Sequence, residues 1–253
     1  MPVTQNNTLV KKYLKDIKSA DTWSVFKIIS DFVKGFDELS DLGPSVTVFG
    51  SARFDENNKY YQQARELSSI LAQQGFSIVT GGGPGIMEAA NRGAFEVGGV
   101  ESIGLNIDLP REQIPNPYAT KTLEFEYFFS RKVMLVKYSM AYVIFPGGFG
   151  TMDEMFESLT LIQTKKVTGV KIFLVGKEFF TPLIEFLEKS LLANGTIAKK
   201  DLELFEVCDD LYEIAQKIHT SLLEQLRSIK ELGLANTTYY KSLEKLKERI
   251  EHE

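Results

Sequence analysis

From residue 46 onward, short apolar runs alternate with longer amphipathic stretches, and this alternation constrains the fold more than any other feature of the sequence. Several runs are rich in Val, Ile and Phe and lack a polar face, as expected for strands that are covered on both sides. Strands separated by helices in this way predict an α/β fold, a Rossmann-like, doubly wound parallel sheet. The predicted strands are Val46–Phe49, Phe76–Val79, Ser102–Ile107, Lys121–Phe125, Tyr142–Phe145, Lys171–Val175 and Phe205–Cys208. The predicted helices cover residues 58–74, 85–97, 128–139, 152–165, 179–193 and 209–227.

Two segments near the ends of the chain lie outside this pattern. Residues 9–40 predict helices with an apolar face that packs on the sheet domain or on a partner subunit, formed by Trp23, Phe26, Phe32, Val33, Phe36 and Leu39. Residues 238–253 mix Lys and Glu with Leu243, Leu246 and Ile250 at helical spacing, which predicts a solvated terminal helix with one apolar stripe, or an oligomer arm. We therefore expect a Rossmann-like domain over residues 44–227, with a helical extension over 1–43 and a helical tail over 228–253.

Composition narrows the partners and the chemistry. The net charge of −5 offers no basic field for nucleic acid, and no apolar run approaches the roughly 18 residues that span a bilayer. The first residues lack the apolar stretch of a secretory signal, and a single cysteine, Cys208, fits a reducing compartment, so we expect a cytoplasmic protein. The only histidines, His219 and His252, lie far beyond the Gly-rich segments. This position argues against a zinc site of His and Cys and against a histidine-activated nucleophile, which leaves Asp, Glu, Lys, Tyr or the substrate for acid–base chemistry.

Three Gly-rich turns follow predicted strands, at Gly50–Arg53, Thr80–Gly85 and Pro146–Thr151. In an open α/β sheet, ligands bind at the carboxyl ends of the strands, where glycines let backbone N–H groups approach an anion at a helix N-terminus. Three such turns at one end of a sheet predict a ligand that carries phosphate. None of them matches G-x-G-x-x-G, and no P-loop motif occurs in the chain.

Thr151 and Glu154 open the helix after the third turn, and their spacing has two interpretations. A Thr at the N-cap with Glu three residues later is a capping box, which explains the pair without catalysis. Alternatively, Glu154 is a catalytic carboxylate beside an anion site, with its charge offset by a cation. Arg131 and Lys132 are candidates for that cation, or else a solvated basic pair.

Three stretches taken together resemble the LOG ("Lonely guy") family, the cytokinin riboside 5′-monophosphate phosphoribohydrolases that were long mislabelled lysine decarboxylases. They are the run from Gly81 to Asn91 (GGGPGIMEAAN), Ser130-Arg131-Lys132, and the run from Pro146 to Glu154 (PGGFGTMDE). The similarity extends from about Val46 to about Asp210. It implies hydrolysis of the N-glycosidic bond of a nucleoside 5′-monophosphate, such as AMP or an N6-modified AMP, to free base and ribose 5-phosphate.

The resemblance also implies roles for particular residues. Arg131 and Glu154 take the catalytic positions, and the Gly147–Thr151 turn holds the 5′-phosphate. The residues expected to bind substrate are Ser51, Gly82, Gly83, Glu88, Lys132, Gly147, Gly148, Gly150, Thr151, Asp153 and Thr160. The family needs neither a metal nor a cofactor such as pyridoxal phosphate, and its short members are dimers whose site is completed at the subunit interface. We therefore also expect self-association, as a homodimer or a higher oligomer.

Breaking a ribosyl–base bond passes through an oxocarbenium-like centre, which a neighbouring carboxylate stabilises. We hypothesise that Glu154 stabilises this cation and orients or deprotonates water, while Arg131 anchors phosphate or ribose and keeps Glu154 ionised.

Two alternatives from other classes remain open. A non-catalytic nucleotide-binding or molybdenum-cofactor carrier protein of this fold would explain the phosphate turns but not the pairing of Arg131 with Glu154. A single-strand DNA-binding relative would need a basic groove with stacking aromatic residues, and the acidic balance of the chain counts against it.

Overall fold

A computed structural model describes residues 22–108 and 115–252, and in these ranges the predicted strands form one parallel sheet. The spatial order is β4-β3-β2-β1-β5-β6-β7, and all neighbouring strands run parallel. The predicted fold class is therefore confirmed. The strands are β1 Ser45–Phe49, β2 Ser77–Thr80, β3 Ser102–Ile107, β4 Lys121–Phe125, β5 Ser139–Ile144, β6 Lys171–Leu174 and β7 Glu206–Val207.

Helices cover both faces of the sheet, which is why the strands read as unbroken apolar runs. One face packs against α2, α3, α7 and α8, and the other packs against α1, α4, α5 and α6. The helices are α1 Thr22–Glu38, α2 Lys59–Gln73, α3 Ile86–Val97, α4 Phe128–Lys137, α5 Phe149–Gln163, α6 Lys177–Phe186, α7 Leu211–Glu231 and α8 Thr238–His252. The chain continues from α6 into a π-helical turn at Leu187–Leu192, and a 3₁₀ helix spans Lys199–Leu204. None of the helices in the described ranges is both long and apolar enough to cross a membrane.

The predicted apolar face of the N-terminal helix is only partly covered. Leu39, just after α1, is buried in the core, and Phe32 packs partly against it, whereas Trp23, Phe26 and Val33 are exposed. Much of this face therefore does not pack on the sheet domain, and packing on a partner subunit, the other possibility, stays a prediction. Residues 9–21 of the predicted helical segment lie outside the described residues.

The prediction of a solvated C-terminal helix is wrong for its apolar stripe. Leu243 and Leu246 of α8 are buried with Tyr240 in the same core cluster as α2 and α7, and Ile250 packs partly against that cluster. Leu246 lies so close to Gly75, in the turn after α2, that a β-carbon at position 75 would press on its side chain. The helix thus completes the core of the sheet domain.

The sheet has a topological switch point between β1 and β5. Chain order proceeds from β1 through β2 and β3 to β4 on one side, and from β5 to β7 on the other. The backbone N–H of Ser51, just after β1, donates a hydrogen bond to the carbonyl of Pro146, just after β5, at 3.0 Å. Connections that leave a parallel sheet in opposite directions open a crevice at the carboxyl ends of the strands, and ligands bind there.

Candidate active site

A cavity of about 730 Å³ opens at this switch point, and all three Gly-rich turns contribute to its wall. The residues expected to bind substrate that line it are Ser51, Gly147, Gly148, Gly150 and Thr151, together with both expected catalytic residues, Arg131 and Glu154. A larger groove of about 1060 Å³ lies near the amino ends of β5 and β6, where Ser139 and Lys171 begin those strands. None of the Gly-rich turns reaches that groove, so the smaller cavity is the better candidate for a site.

Helix α5 begins earlier than predicted, and this changes the interpretation of its acidic residue. Its first residue is Phe149, and Gly148 is the N-cap, with extended backbone and no capping side chain. Thr151 and Glu154 consequently lie inside the helix, so the capping-box interpretation is wrong. The first intrahelical hydrogen bond runs from Met152 N–H to the Gly148 carbonyl. The N–H groups of Phe149, Gly150 and Thr151 precede it and have no partner within the helix. Because these three residues line the cavity, their N–H groups form a potential anion site.

The side chains of Arg131 and Glu154 meet in the wall of this cavity. Arg131 Nη2 donates a hydrogen bond to Glu154 Oε1 at 3.1 Å, from α4 to the neighbouring α5. Both side chains are largely buried, at 11% and 15% exposed. Arg131 Nε is also buried and has no hydrogen-bond partner, and its guanidinium carbon lies 5.4 Å from the ring centroid of Phe128. An arginine with a spare buried donor beside a cavity is suited to bind an oxygen atom of a ligand.

Burial sets the protonation of the pair. It raises the pKa of Glu154 to about 7, although the positive charges of Arg131 and Lys132 oppose this shift. Burial likewise lowers the pKa of Arg131, against the attraction of Glu154. Arg131 favours the ionised form of Glu154, as hypothesised, but desolvation outweighs this attraction. A carboxyl group that titrates near neutrality is matched to proton transfer at physiological pH.

Lys132, the next residue on α4, faces away from the cavity. Its ammonium contacts Asp153 at 2.6 Å and Glu157 at 2.8 Å, so that it ties α4 to α5. Neither Lys132 nor Asp153 is among the described residues that line the cavity, although the resemblance implies that both lie near substrate. Consecutive residues of a helix point about 100° apart, which explains why Lys132 does not join Arg131.

The other residues expected to bind substrate also lie outside the cavity lining. Gly82 and Gly83 are buried, and the Gly82 N–H donates to Thr80 Oγ1 at 2.9 Å. Glu88 accepts a hydrogen bond from the Tyr61 hydroxyl at 2.9 Å. Thr160 is exposed and donates to the Phe156 carbonyl of its own helix.

A buried amide network supports the second Gly-rich turn, and the sequence gives no sign of it. Asn91 of α3 is fully buried; its Nδ2 donates to Ser102 Oγ and the Ile103 carbonyl, while its Oδ1 accepts from Thr80 Oγ1 and Asn116 Nδ2. Asn116 also donates from its backbone to the Gly82 carbonyl. All four hydrogen-bonding positions of the Asn91 amide are thus filled, which fixes the turn below the cavity wall at Gly81.

Two features of the cavity mouth are also absent from the sequence predictions. Phe149 is 96% exposed, and with Phe128 and Phe179, which are about half exposed, it adds aromatic surface to the lining. Arg53 lies on the same wall, in the first Gly-rich turn. The sequence places Arg53 and Phe149 in the predicted Gly-rich turns but assigns neither a role, because an exposed Phe or Arg in a turn has no periodicity to reveal one.

A group of potential metal ligands lies elsewhere, at Glu206, Cys208 and Glu213, whose ligand atoms are within 4.8 Å of one another. The ammonium of Lys217 forms ion pairs with both carboxylates, at 2.7 Å for Glu213. Both carboxylates of this group are thus already engaged by the ammonium of Lys217. The group is far from the switch-point cavity in chain order and contributes nothing to its lining.

Comparison with known proteins points to one family. A sequence model described as "Possible lysine decarboxylase" matches residues 87–218, which include the third Gly-rich turn together with Arg131 and Glu154. A cytokinin riboside 5′-monophosphate phosphoribohydrolase of Rhodococcoides fascians is 27% identical over 173 residues, covering 66% of this chain and 85% of that protein. A pyrimidine/purine nucleotide 5′-monophosphate nucleosidase of Escherichia coli K12 is 27% identical over 191 residues, covering 70% of this chain but 40% of that protein.

Among solved structures, the molybdenum cofactor carrier protein of Chlamydomonas reinhardtii superposes with a TM-score of 0.52 and 24% identity. The match covers 72% of this chain and 99% of that chain. At this level of identity the likeness concerns the fold alone.

Proposed function

This chain belongs to the LOG family, whose sequence model is described as possible lysine decarboxylase, and on that premise we propose that it is a nucleoside 5′-monophosphate phosphoribohydrolase. The observation that carries the proposal is the buried pair of Arg131 and Glu154 in the switch-point cavity. A decarboxylase that uses pyridoxal phosphate would need a lysine for the Schiff base, and no lysine is among the described residues that line the cavity.

In the proposed reaction, water adds to C1′ of the ribose while the bond from C1′ to the base nitrogen breaks. The hydroxyl of the water ends on C1′, and its other hydrogen ends on the departing base. Ionised Glu154 stabilises positive charge at C1′ and takes the proton from water, while a raised pKa makes this carboxylate a stronger base than an exposed one. Arg131 orients Glu154 through Nη2 and uses its unpartnered Nε to hold a ribose or phosphate oxygen.

The base is proposed to lie against the aromatic mouth formed by Phe128, Phe149 and Phe179. Aromatic faces accept any purine or pyrimidine ring, since every base has a π-face. The aromatic mouth thus leaves the base open, and we propose AMP or an N6-modified AMP as substrate because similar proteins are named as cytokinin riboside 5′-monophosphate phosphoribohydrolases.

The proposal is tested by incubating purified protein with AMP, GMP, CMP, dAMP and isopentenyl-AMP and quantifying free base and ribose 5-phosphate. Release of base from at least one nucleotide, in equal amounts with the sugar phosphate, is expected. Binding of AMP without release from any of the five would overturn the hydrolase and favour the carrier alternative.

We expect the rate to depend on the protonation of Glu154. Its pKa is about 7 in the folded protein, and the proposed role needs the ionised form, so kcat/KM for the preferred nucleotide should rise with pH and reach half its maximum near pH 7. The second pKa of the substrate phosphate is about 6, so the rising part of the pH–rate profile should lie about one pH unit above the titration of the substrate. A profile that falls through neutrality would make Glu154 a general acid instead, and a flat profile would remove it from the proton transfer.

We also propose that the protein self-associates through the exposed apolar face of α1 and α4. Trp23, Phe26 and Val33 on α1, and Phe129 and Val133 on α4, are exposed, and the ring centroids of Phe129 and Phe32 lie 6.4 Å apart across the two helices. Contiguous apolar surface of this kind marks an interaction site.

Light scattering at micromolar concentration should give a dimer or larger species for the wild type and a smaller one for Val33→Glu. Tyr212→Glu, at an exposed position on α7, is the matched control, and a monomeric wild type would contradict the proposal.

A further inference from the structure

The switch-point cavity needs a cation for a phosphate dianion, and the obvious candidates are engaged. Lys132 is held by Asp153 and Glu157 outside the cavity, and Arg131 is paired with Glu154. Among the described lining residues, the remaining cationic side chain is Arg53, in the turn after β1. It is exposed, and nothing in the family resemblance gives it a role.

The backbone around Arg53 is held in place by the elements that build the site. Its N–H donates to Ser51 Oγ at 3.1 Å, and the Ser51 N–H and carbonyl are bonded to Pro146 and Ile86. On the other side, the ring of Phe54 stacks on Tyr60, with centroids 5.9 Å apart. The Arg53 Cα is therefore fixed relative to the third Gly-rich turn, and only the side chain has freedom.

The guanidinium of Arg53 has no acidic partner among the residues that the structure describes. The two acids that follow it in sequence are used elsewhere. Asp55 accepts a hydrogen bond from Asn57 N–H, and Glu56 forms an ion pair with Arg92 at 3.2 Å. An arginine on a fixed turn with its charge unmatched is available to an anion in the cavity, since a guanidinium binds phosphate through two parallel hydrogen bonds.

The two helix N-termini at the cavity differ in what they can bind. The first amide of α3, that of Ile86, is already taken by the Ser51 carbonyl at 2.9 Å. The amides that open α5 line the cavity, and the buried Nε of Arg131, on a residue only 9% exposed, is a further donor without a partner. An anion between α5 and Arg53 would thus meet donors on both sides.

Resting on the proposed function, we infer that Arg53 binds the 5′-phosphate of the substrate and so makes the enzyme select nucleotides over nucleosides. Arg131 then acts on the ribose and on Glu154, while Arg53 supplies the counter-charge for the phosphate. Hydrogen bonds to charged groups contribute about 1.5–3 kcal/mol each, which corresponds to about 10- to 100-fold in affinity for phosphate-bearing ligands.

The test uses the full chain and measures binding of ribose 5-phosphate and of ribose by calorimetry, so that no turnover is needed. Arg53→Gln should weaken the binding of ribose 5-phosphate by about 10- to 100-fold and leave the binding of ribose unchanged. Arg53→Lys should recover part of the loss, because it restores the charge without the planar fork. Arg227→Gln, at an exposed arginine of α7 outside the cavity, should bind as the wild type does.

The outcomes separate this inference from the hydrolase proposal. Two results would overturn the role of Arg53, whatever the base-release assay gives. One is unchanged binding of ribose 5-phosphate by Arg53→Gln, and the other is no binding of ribose 5-phosphate by the wild type up to about 10 mM. Absence of base release from every nucleotide, with phosphate binding still dependent on Arg53, overturns the hydrolase and leaves a phosphate-selective binding site. An equal loss for ribose would show a structural defect in the turn and would also overturn the inference.

Discussion

Glu154→Gln should fold normally and lose about 10³-fold of its base release, because the amide can neither accept a proton nor stabilise a cationic C1′. Glutamine has nearly the same shape, and its carbonyl oxygen can still accept the hydrogen bond from Arg131 Nη2. The measurement is the initial rate of base release under saturating nucleotide, alongside a thermal unfolding curve that verifies folding.

Glu157→Gln is the matched control for that variant. Glu157 lies one turn further along α5, contacts Lys132 and is not among the described residues of the cavity wall. Lys132 keeps Asp153 as a partner when Glu157 is neutralised, so the tie between α4 and α5 remains. Wild-type rates in a folded Glu154→Gln protein would remove Glu154 from the mechanism.

Gly85→Ala should lower the free energy of unfolding by about 4 kcal/mol. Gly85 is the N-cap of α3 with φ +71°, and a β-carbon there would overlap the backbone of Ser51 and Ala52. The loss combines a backbone conformation that favours glycine with a collision against main-chain atoms that cannot rotate away. For a chain of this length, it corresponds to a fall of about 10 °C in Tm.

Gly98→Ala separates these two contributions. Gly98 follows α3 with φ +74°, and nothing lies within 4 Å of the position that its β-carbon would occupy. The Gly98→Ala variant should therefore lose only the part of the free energy of unfolding that comes from backbone conformation, about 2 kcal/mol. Equal Tm values for the two variants would show that the close approach of α3 to the first Gly-rich turn contributes nothing to stability.

The sequence predicted the sheet well because its strands are covered on both faces, so that burial appears directly as apolar runs. It was less accurate where burial involves polar residues. β5 begins at Ser139, three residues before the predicted start, because Ser139 is buried with its hydroxyl bonded to the Leu135 carbonyl. Similarly, the burial of Leu246 depends on Gly75, far away in the chain, and helical spacing alone gives no sign of that contact.

For the site, the switch-point location followed from the turns, but the arrangement of side chains did not. Arg131 and Glu154 lie on different helices, and their proximity was implied by family resemblance rather than by spacing. The predicted start of α5 was wrong because Gly148 caps the helix without a side chain, whereas Thr151, three residues later, has the sequence pattern of an N-cap. Arg53 gave no signal, since a charged residue in a turn is usually solvated.

The bond from Ser51 to Pro146 joins parts of the chain that are made at different times. β2, β3 and β4 can pair beside β1 as soon as they leave the ribosome, but the other flank of β1 waits for β5. Until then, the strand that ends at the centre of the finished sheet is an edge strand, with unpaired N–H and carbonyl groups open to other chains. We therefore expect a stage of synthesis in which a strand that ends fully buried still presents an unpaired edge, and the switch-point cavity forms only when that stage is over.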